Sequence, residues 1–171
     1  EFNKILKKDK ITDNVFEVDQ INKSIKENFT FCWDQFYKFM FIYLKRCKKM
    51  FNYLESFCVG QILVVNATQN QEFKPSKSNI KSWREEIMGS DFRGVNAMSI
   101  SDITGIPRPT VVRKLKWLID KKFLTINDKK LISLDVRDGA FKKTINLQKK
   151  NTLSLSNFIY RLFNQIRIIN S

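Results

Sequence analysis

The chain has 171 residues, with 31 Lys and Arg against 17 Asp and Glu for a formal net charge of +14, and 43% of its residues are hydrophobic. This length and apolar content suit one domain, with or without helical extensions, and exclude a disordered tail, while the positive charge favours a polyanionic partner. The absence of histidine removes the usual general base and zinc ligand, and the three cysteines, Cys32, Cys47 and Cys58, show no metal-ligand spacing.

The composition predicts neither an enzyme nor a membrane protein. The five glycines form no phosphate-binding or dinucleotide-binding loop, so no catalytic residue, metal site or cofactor is predicted. The apolar run Phe39–Leu44 is far shorter than the ~20 residues that a membrane-spanning helix needs. No leader peptide is recognisable, and Cys47 and Cys58 lie among apolar residues as buried free thiols would. The sequence therefore predicts a cytoplasmic protein.

A long amphipathic helix is predicted in the N-terminal third. Its apolar residues recur every three or four positions: Trp33, Phe36, Met40, Tyr43, Cys47, Met50, Leu54 and Phe57. A helix with such a seam packs against another helix along its length, either within the chain or in a second subunit. Residues 1–58 are therefore predicted to be a helical extension used for dimerisation.

The next stretch divides into a helix and an insertion. Residues 61–67 are predicted to lie in the first helix of a domain that extends over 59–143. The apolar periodicity lapses between about 69 and 97, where polar residues and Pro75 dominate, although Ser82-x-x-Glu85 is typical of a helix start. The sequence does not indicate a role for this insertion.

Residues 99–134 are predicted to form a helix, a tight turn, a second helix and a β-hairpin. Ser99 or Ser101 suits the cap of the first helix, and Gly105 suits a turn that requires positive φ. Pro109 suits the first turn of the second helix, because the N–H that proline lacks has no partner there. The predicted fold class is thus mainly α with a small β-hairpin.

The second helix has an apolar stripe and a polar face. The stripe consists of Val111, Val112, Leu115, Leu118 and Ile119. At 100° per residue, Arg113 lies almost opposite this stripe. The residues flanking Arg113 are Pro109, Thr110, Lys116 and Trp117. The outward face is therefore mostly basic or hydrogen-bonding, and Trp117 is expected to stack on the hairpin.

The hairpin is predicted from two β-prone runs, Phe123–Ile126 and Leu131–Leu134. Asn127 and Asp128 begin the connection between them and favour a turn. Two lysines, Lys129 and Lys130, complete the connection and lie at the predicted tip. They are suitable for contacts with a phosphate backbone.

Residues 99–134 resemble the winged helix-turn-helix of bacterial transcriptional regulators, in the group that contains the multiple-antibiotic-resistance regulators. The run Arg108-Pro109-Thr110-Val111, followed by Arg113 and Leu115, is similar to the start of their recognition helix. The resemblance covers about a fifth of the chain. It implies a recognition helix at about 108–121 in the DNA major groove and a wing at about 123–134 on the backbone. Lys114 departs from the group, in which an apolar residue is more common at this position.

By this resemblance, Arg108 and Arg113 contact bases or nearby phosphates and Thr110 contacts phosphate. The full set of predicted DNA contacts is Arg108, Pro109, Thr110, Arg113, Lys114, Lys116, Trp117, Lys129 and Lys130. The charge distribution agrees with a nucleic-acid surface, since residues 99–143 hold eleven Lys and Arg against five acids.

The C-terminal segment, residues 144–171, is predicted to be a second dimerisation element. Its helix, Leu153–Ile169, has a broad apolar face, and long helices at both ends of a winged helix are how the resembling regulators dimerise. The sequence therefore predicts a homodimeric regulator that binds specific double-stranded DNA, and it identifies no small-molecule effector. The alternative is a winged-helix adaptor or replication factor that does not recognise a DNA sequence.

Overall fold

The computed structural model describes residues 17–69, 94–137 and 139–169. In these ranges it contains six helices, namely α1 Val18–Glu27, α2 Phe29–Phe51, α3 Leu54–Gln69, α4 Ala97–Thr104, α5 Arg108–Asp120 and α6 Gly139–Ile169. A two-stranded antiparallel sheet joins β1, Leu124–Ile126, to β2, Ile132–Leu134. The mainly helical class with a small hairpin is therefore confirmed. Most of the predicted insertion, including Ser82–Glu85, lies outside the described residues.

None of the helices in the described ranges combines the length and apolarity needed to cross a bilayer. The described residues also contain no cluster of three or more Cys, Asp or Glu side chains arranged to hold a metal ion. Cys47 is fully buried, and this burial raises the pKa of its thiol. Cys58 is exposed, so the prediction that it is buried is wrong.

The predicted N-terminal helix does not continue to Phe57 but ends at Phe51. Asn52 follows with φ of 65°, a left-handed conformation that Asn adopts more readily than most residues. The apolar periodicity nevertheless continues across the break, because the rings of Phe51 and Phe57 pack with their centroids 5.6 Å apart. The sequence pattern therefore reflects shared burial of two helices and not one continuous helix.

The chain divides into two compact units, one of Tyr43–Asn151 and one of Glu1–Ile42 with Thr152–Ser171. These boundaries differ from the predicted ones at 58/59 and 143/144. The reason is that the end of α2 and the start of α6 contribute Cys47 and Leu147 to the core of the larger unit. Each of these two helices thus supplies residues to both units.

The core of the larger unit is formed by α3, α4, α5 and the hairpin together with these helix ends. Its buried members are Cys47, Phe51, Phe57, Val59, Leu63, Ile100, Val111, Leu115, Leu118, Leu124, Ile132 and Leu147. Helix α3 packs on α4, α5 and β2, while α5 also packs on α4 and β1. This arrangement holds α5 by one face and leaves the opposite face open.

A third extended segment, which the sequence did not predict, pairs with the hairpin at Val95. The N–H of Val95 donates to the carbonyl of Ile132 at 3.0 Å, and the N–H of Ile132 donates back at 3.2 Å. Gly94 permits this approach. A Cβ at this position would lie 2.7 Å from Leu131 Cβ and 2.9 Å from the backbone N and O of Ile132.

The smaller unit contains α1, the first part of α2 and the last part of α6. The ring of Phe158 stacks on Phe39 with centroids 5.4 Å apart and lies 6.3 Å from Phe36. Nη1 of Arg161 donates a hydrogen bond of 2.8 Å to Oε1 of Gln35. The two helix segments therefore run antiparallel within this unit.

One face of α2 in the smaller unit carries aromatic side chains at every fourth position. We call Phe29, Trp33, Tyr37 and Phe41 the α2 aromatic face. Their exposed fractions range from 37% to 69%. Ring contacts connect Phe29 to Trp33 and Trp33 to Tyr37, with centroids 5.8 and 5.5 Å apart. This is a large exposed apolar surface for four residues on one helix.

Candidate nucleic-acid interface

Helix α4 is capped at its start by Asn96 and at its end by Gly105. Oδ1 of Asn96 accepts hydrogen bonds of 2.9 Å from the N–H groups of Met98 and Ser99. The predicted cap at Ser99 or Ser101 is therefore wrong, because the helix begins earlier and its cap is Asn96. Gly105 has φ of 68° and donates its N–H to the carbonyl of Ser101, as predicted for the turn.

Two hydroxyl groups fix the turn between α4 and α5. Oγ of Ser101 donates to the carbonyl of Ile106 at 2.8 Å. Oγ1 of Thr104 donates to the carbonyl of Ile100 at 2.7 Å and accepts from the N–H of Ile106 at 3.2 Å. These bonds satisfy backbone groups that the end of a helix leaves open, and so they hold the start of α5 in place.

Helix α5 has a buried face and an exposed face, as its periodicity predicted. Val111, Leu115 and Leu118 are buried in the core, and Arg113 is exposed. The other predicted contacts at the surface of this helix are Arg108, Pro109 and Lys116, which are exposed, and Thr110, which is half-buried. The exposed face thus presents three cations to solvent.

Two apolar side chains are exposed on the same pair of helices. Val112 is 50% exposed, and Ile103 of α4 is 64% exposed. The predicted burial of Val112 is wrong because the core centres on Val111 and Leu118. Val112 lies 100° around the helix from Val111, away from that centre. The surface around α5 is therefore basic but not purely polar.

Lys114 was predicted to contact DNA, but it is only 6% exposed. Its Nζ lies 3.4 Å from Oε2 of Glu55 and 3.6 Å from the centroid of the Tyr53 ring. A hydrogen bond from the backbone of Glu55 and then the charge of Lys114 lower the pKa of the Glu55 carboxyl. Lys114 is therefore an internal contact between α5 and the start of α3, and we remove it from the candidate interface.

Trp117 is half-buried at the side of α5. Its ring stacks on Phe123, which immediately precedes β1, with centroids 6.2 Å apart and an angle of 22° between planes. This contact agrees with the predicted stacking on the hairpin. Trp117 therefore supports the junction between α5 and β1 and keeps part of its surface accessible.

The hairpin is slightly shorter than predicted, since each strand begins one residue later. Leu124 pairs with Leu134, and Ile126 pairs with Ile132. Oδ1 of Asn127 accepts from the N–H of Leu131 at 2.9 Å and closes the turn. Both lysines of the turn are exposed, and Lys130 has φ of 59°. The tip can therefore present two positive charges to a polyanion.

The larger unit thus combines two helices joined by a hydrogen-bonded turn, an α5 face with exposed cations and a hairpin with a basic tip. Exposed arginine and lysine side chains are the groups that proteins most often use to contact phosphates and base edges. Comparisons with protein-family models, with curated proteins and with solved structures gave no match. The functional argument therefore depends on this geometry.

Proposed function

We propose that the chain is a transcriptional regulator that binds specific double-stranded DNA through a winged helix-turn-helix. The order α3, the Val95 segment, α4, α5, β1 and β2 is the order of elements in that fold. In the proposed complex α5 enters the major groove, and the hairpin tip lies along the phosphate backbone.

The observation that carries the proposal is the division of α5 into a buried and a basic face. Arg113 and Lys116 are exposed, while Val111 and Leu118 fix the opposite side in the core. A rigid helix with outward arginine and lysine suits readout of base edges, because arginine donates two hydrogen bonds to guanine.

We further propose that the regulator is a homodimer. The support for this part is the α2 aromatic face, because monomers seldom leave such a surface open to water. A two-fold dimer would present two copies of α5 to DNA, as palindromic sites require.

The second candidate function is a winged-helix adaptor that binds protein. Its support is the exposure of Ile103 and Val112, because apolar side chains at a surface suit a protein partner better than a phosphate backbone.

The test is selection of bound fragments from a random double-stranded library, followed by binding measurements with Arg113→Ala. We expect the variant to lose about 1–3 kcal/mol on the selected site and to relax the preference at one base position. Lys142→Ala is the matched control because Lys142 is an exposed cation of the larger unit outside the interface. Selection of no sequence would favour the adaptor, and an equal loss on all sequences would make Arg113 a phosphate contact.

A further inference from the structure

A cavity of about 630 Å³ lies within the larger unit, beside the C-terminal half of α5. Its cationic lining consists of Arg46, Lys49, Lys121, Lys143 and Lys150. The described residues that line it include no Asp or Glu. The proposed DNA contacts do not account for this concentration of positive charge, because only Trp117 belongs to both sites.

The cations come from α2, from α6 and from Lys121, which directly follows α5, and they line one space. Arg46 is held in position, since its Nη1 donates to the carbonyl of Lys150 at 2.9 Å and to Oδ1 of Asn151 at 3.4 Å. Lys49, Lys121 and Lys143 are exposed, so their ammonium groups can adjust to a ligand. Like charges gathered around one cavity repel one another, and a ligand with several negative charges relieves that repulsion.

The same cavity has an aromatic and aliphatic wall. Phe123 lies between two rings, 5.1 Å from Phe51 and 6.2 Å from Trp117 between centroids. Met50, Ala140 and Leu147 complete the apolar lining. A flat ring can pack against such a wall, because aromatic side chains with accessible surface serve as stacking platforms for bases.

We propose that this cavity binds a nucleotide, with the phosphates among the cations and the base against Trp117. The volume falls in the range of about 300–1,000 Å³ that small-molecule sites occupy. A free nucleotide and one nucleotide of a single strand share this chemistry. The proposal stands apart from major-groove recognition by Arg113 and does not depend on it.

The first experiment is calorimetric titration of the full chain at low salt with ATP, inorganic tripolyphosphate and adenosine. We expect ATP to bind about tenfold or more tightly than either fragment, because only ATP uses the cations and the apolar wall together. If tripolyphosphate bound as tightly as ATP, the cavity would have no site for the adenine ring. No binding of ATP at about millimolar concentration would overturn the proposal.

Neighbouring lysines on the same helices provide a matched pair of variants. Lys49→Gln, Lys143→Gln and Lys150→Gln together remove three cations that line the cavity. The control changes exposed Lys48, Lys142 and Lys149 to Gln, so that both triple variants have the same net charge. We expect the first triple to weaken ATP binding by about tenfold or more and the control by less than about threefold. Equal losses would mean that ATP responds only to overall charge.

Fluorescence tests whether the base lies against Trp117, and a competition experiment tests whether the site takes a free nucleotide or one nucleotide of a single strand. In a variant with Trp33→Phe and Trp83→Phe, Trp117 is the remaining tryptophan, and we expect ATP to quench its emission. An unchanged emission on ATP binding would contradict a base at this wall. Displacement of ATP by a short oligo(dT) would show that the site binds single-stranded DNA. Simultaneous binding of both would show that the site binds a free nucleotide. Duplex binding measured in parallel keeps the two proposals distinct, since either can fail alone.

Discussion

Lys114 was predicted to lie on the binding surface, but in the structure it is part of the scaffold of the larger unit. It lies on the buried side of α5, where a charge is costly unless it has a partner. The carboxylate of Glu55 and the ring of Tyr53 supply that partner at the start of α3. Because Glu55 is half exposed, the pair keeps some contact with water and avoids the full cost of desolvation.

We therefore expect Lys114→Met to change the free energy of unfolding by less than about 1.5 kcal/mol, because Met keeps the volume of the aliphatic stem. Lys114→Ala should cost about 2–3 kcal/mol, since it removes that packing as well as the charge. Urea denaturation of both variants measures the difference. The same loss in both would mean that the ion pair, and not the stem, supplies the stability.

At the scale of elements, two glycines are required for different reasons, one at the turn between α4 and α5 and one beside the hairpin. Gly105 has open space around its Cα, so only its left-handed φ of 68° opposes a side chain. Gly94 has backbone atoms of Ile132 where a Cβ would lie, so a side chain there must displace the Val95 segment.

We expect Gly105→Ala to lower the free energy of unfolding by about 1–2 kcal/mol, the usual cost of a left-handed conformation. Gly94→Ala should cost more, and it should also reduce hydrogen-exchange protection at the N–H of Val95 and Ile132. Denaturant unfolding and amide exchange measure both effects. Full protection of the Ile132 amide in Gly94→Ala would contradict the steric argument.

The hairpin tip provides the second prediction for an element. Changing Lys129 and Lys130 together to Gln should reduce the dependence of log K on log salt by about 1–2 units without altering the preferred sequence, because the contacts release counterions from phosphates. Lys142 and Lys149 changed to Gln provide a control of equal charge. An unaltered salt slope would remove the hairpin from the interface.

The elements predictable from sequence were those whose signals are local. The stripe Val111–Leu118, Gly105 and the turn at Asn127 each report a short-range requirement, and the structure contains α5, the left-handed cap and the hairpin. The pairing of Val95 with Ile132 depends on contact between distant segments, which periodicity does not report. The burial of Lys114 could not be predicted from the sequence for the same reason. Its partner, Glu55, lies on another helix.

At the scale of the whole molecule, α2 and α6 each contribute residues to both compact units. Cys47 of α2 and Leu147 of α6 both belong to the core of the larger unit, although the predicted division into extension, domain and extension places both residues in the extensions. The smaller unit adds an antiparallel helix pair, in which Phe39 stacks on Phe158, and the α2 aromatic face, whose rings are 37% to 69% exposed.

We predict that the α2 aromatic face forms the contact between two copies of the chain. Light scattering at about micromolar concentration should give twice the mass of 20.3 kDa, because covering these rings removes a large apolar area from water. Tyr37→Lys with Phe41→Lys should give a folded monomer, since both side chains are more than half exposed. Lys38→Ala with Lys45→Ala is the control on the same helix and should remain dimeric.

The dimer also predicts the form of the DNA site. Two copies of α5 related by a two-fold axis bind half-sites about 34–36 Å apart, so the sequence selected from a random library should be pseudo-palindromic with one helical turn between its halves. The monomeric variant should then bind one half-site and lose the steep concentration dependence that two linked half-sites produce. A wild-type chain that is a stable monomer and still binds one specific, non-repeated site would contradict both the dimer and the palindrome.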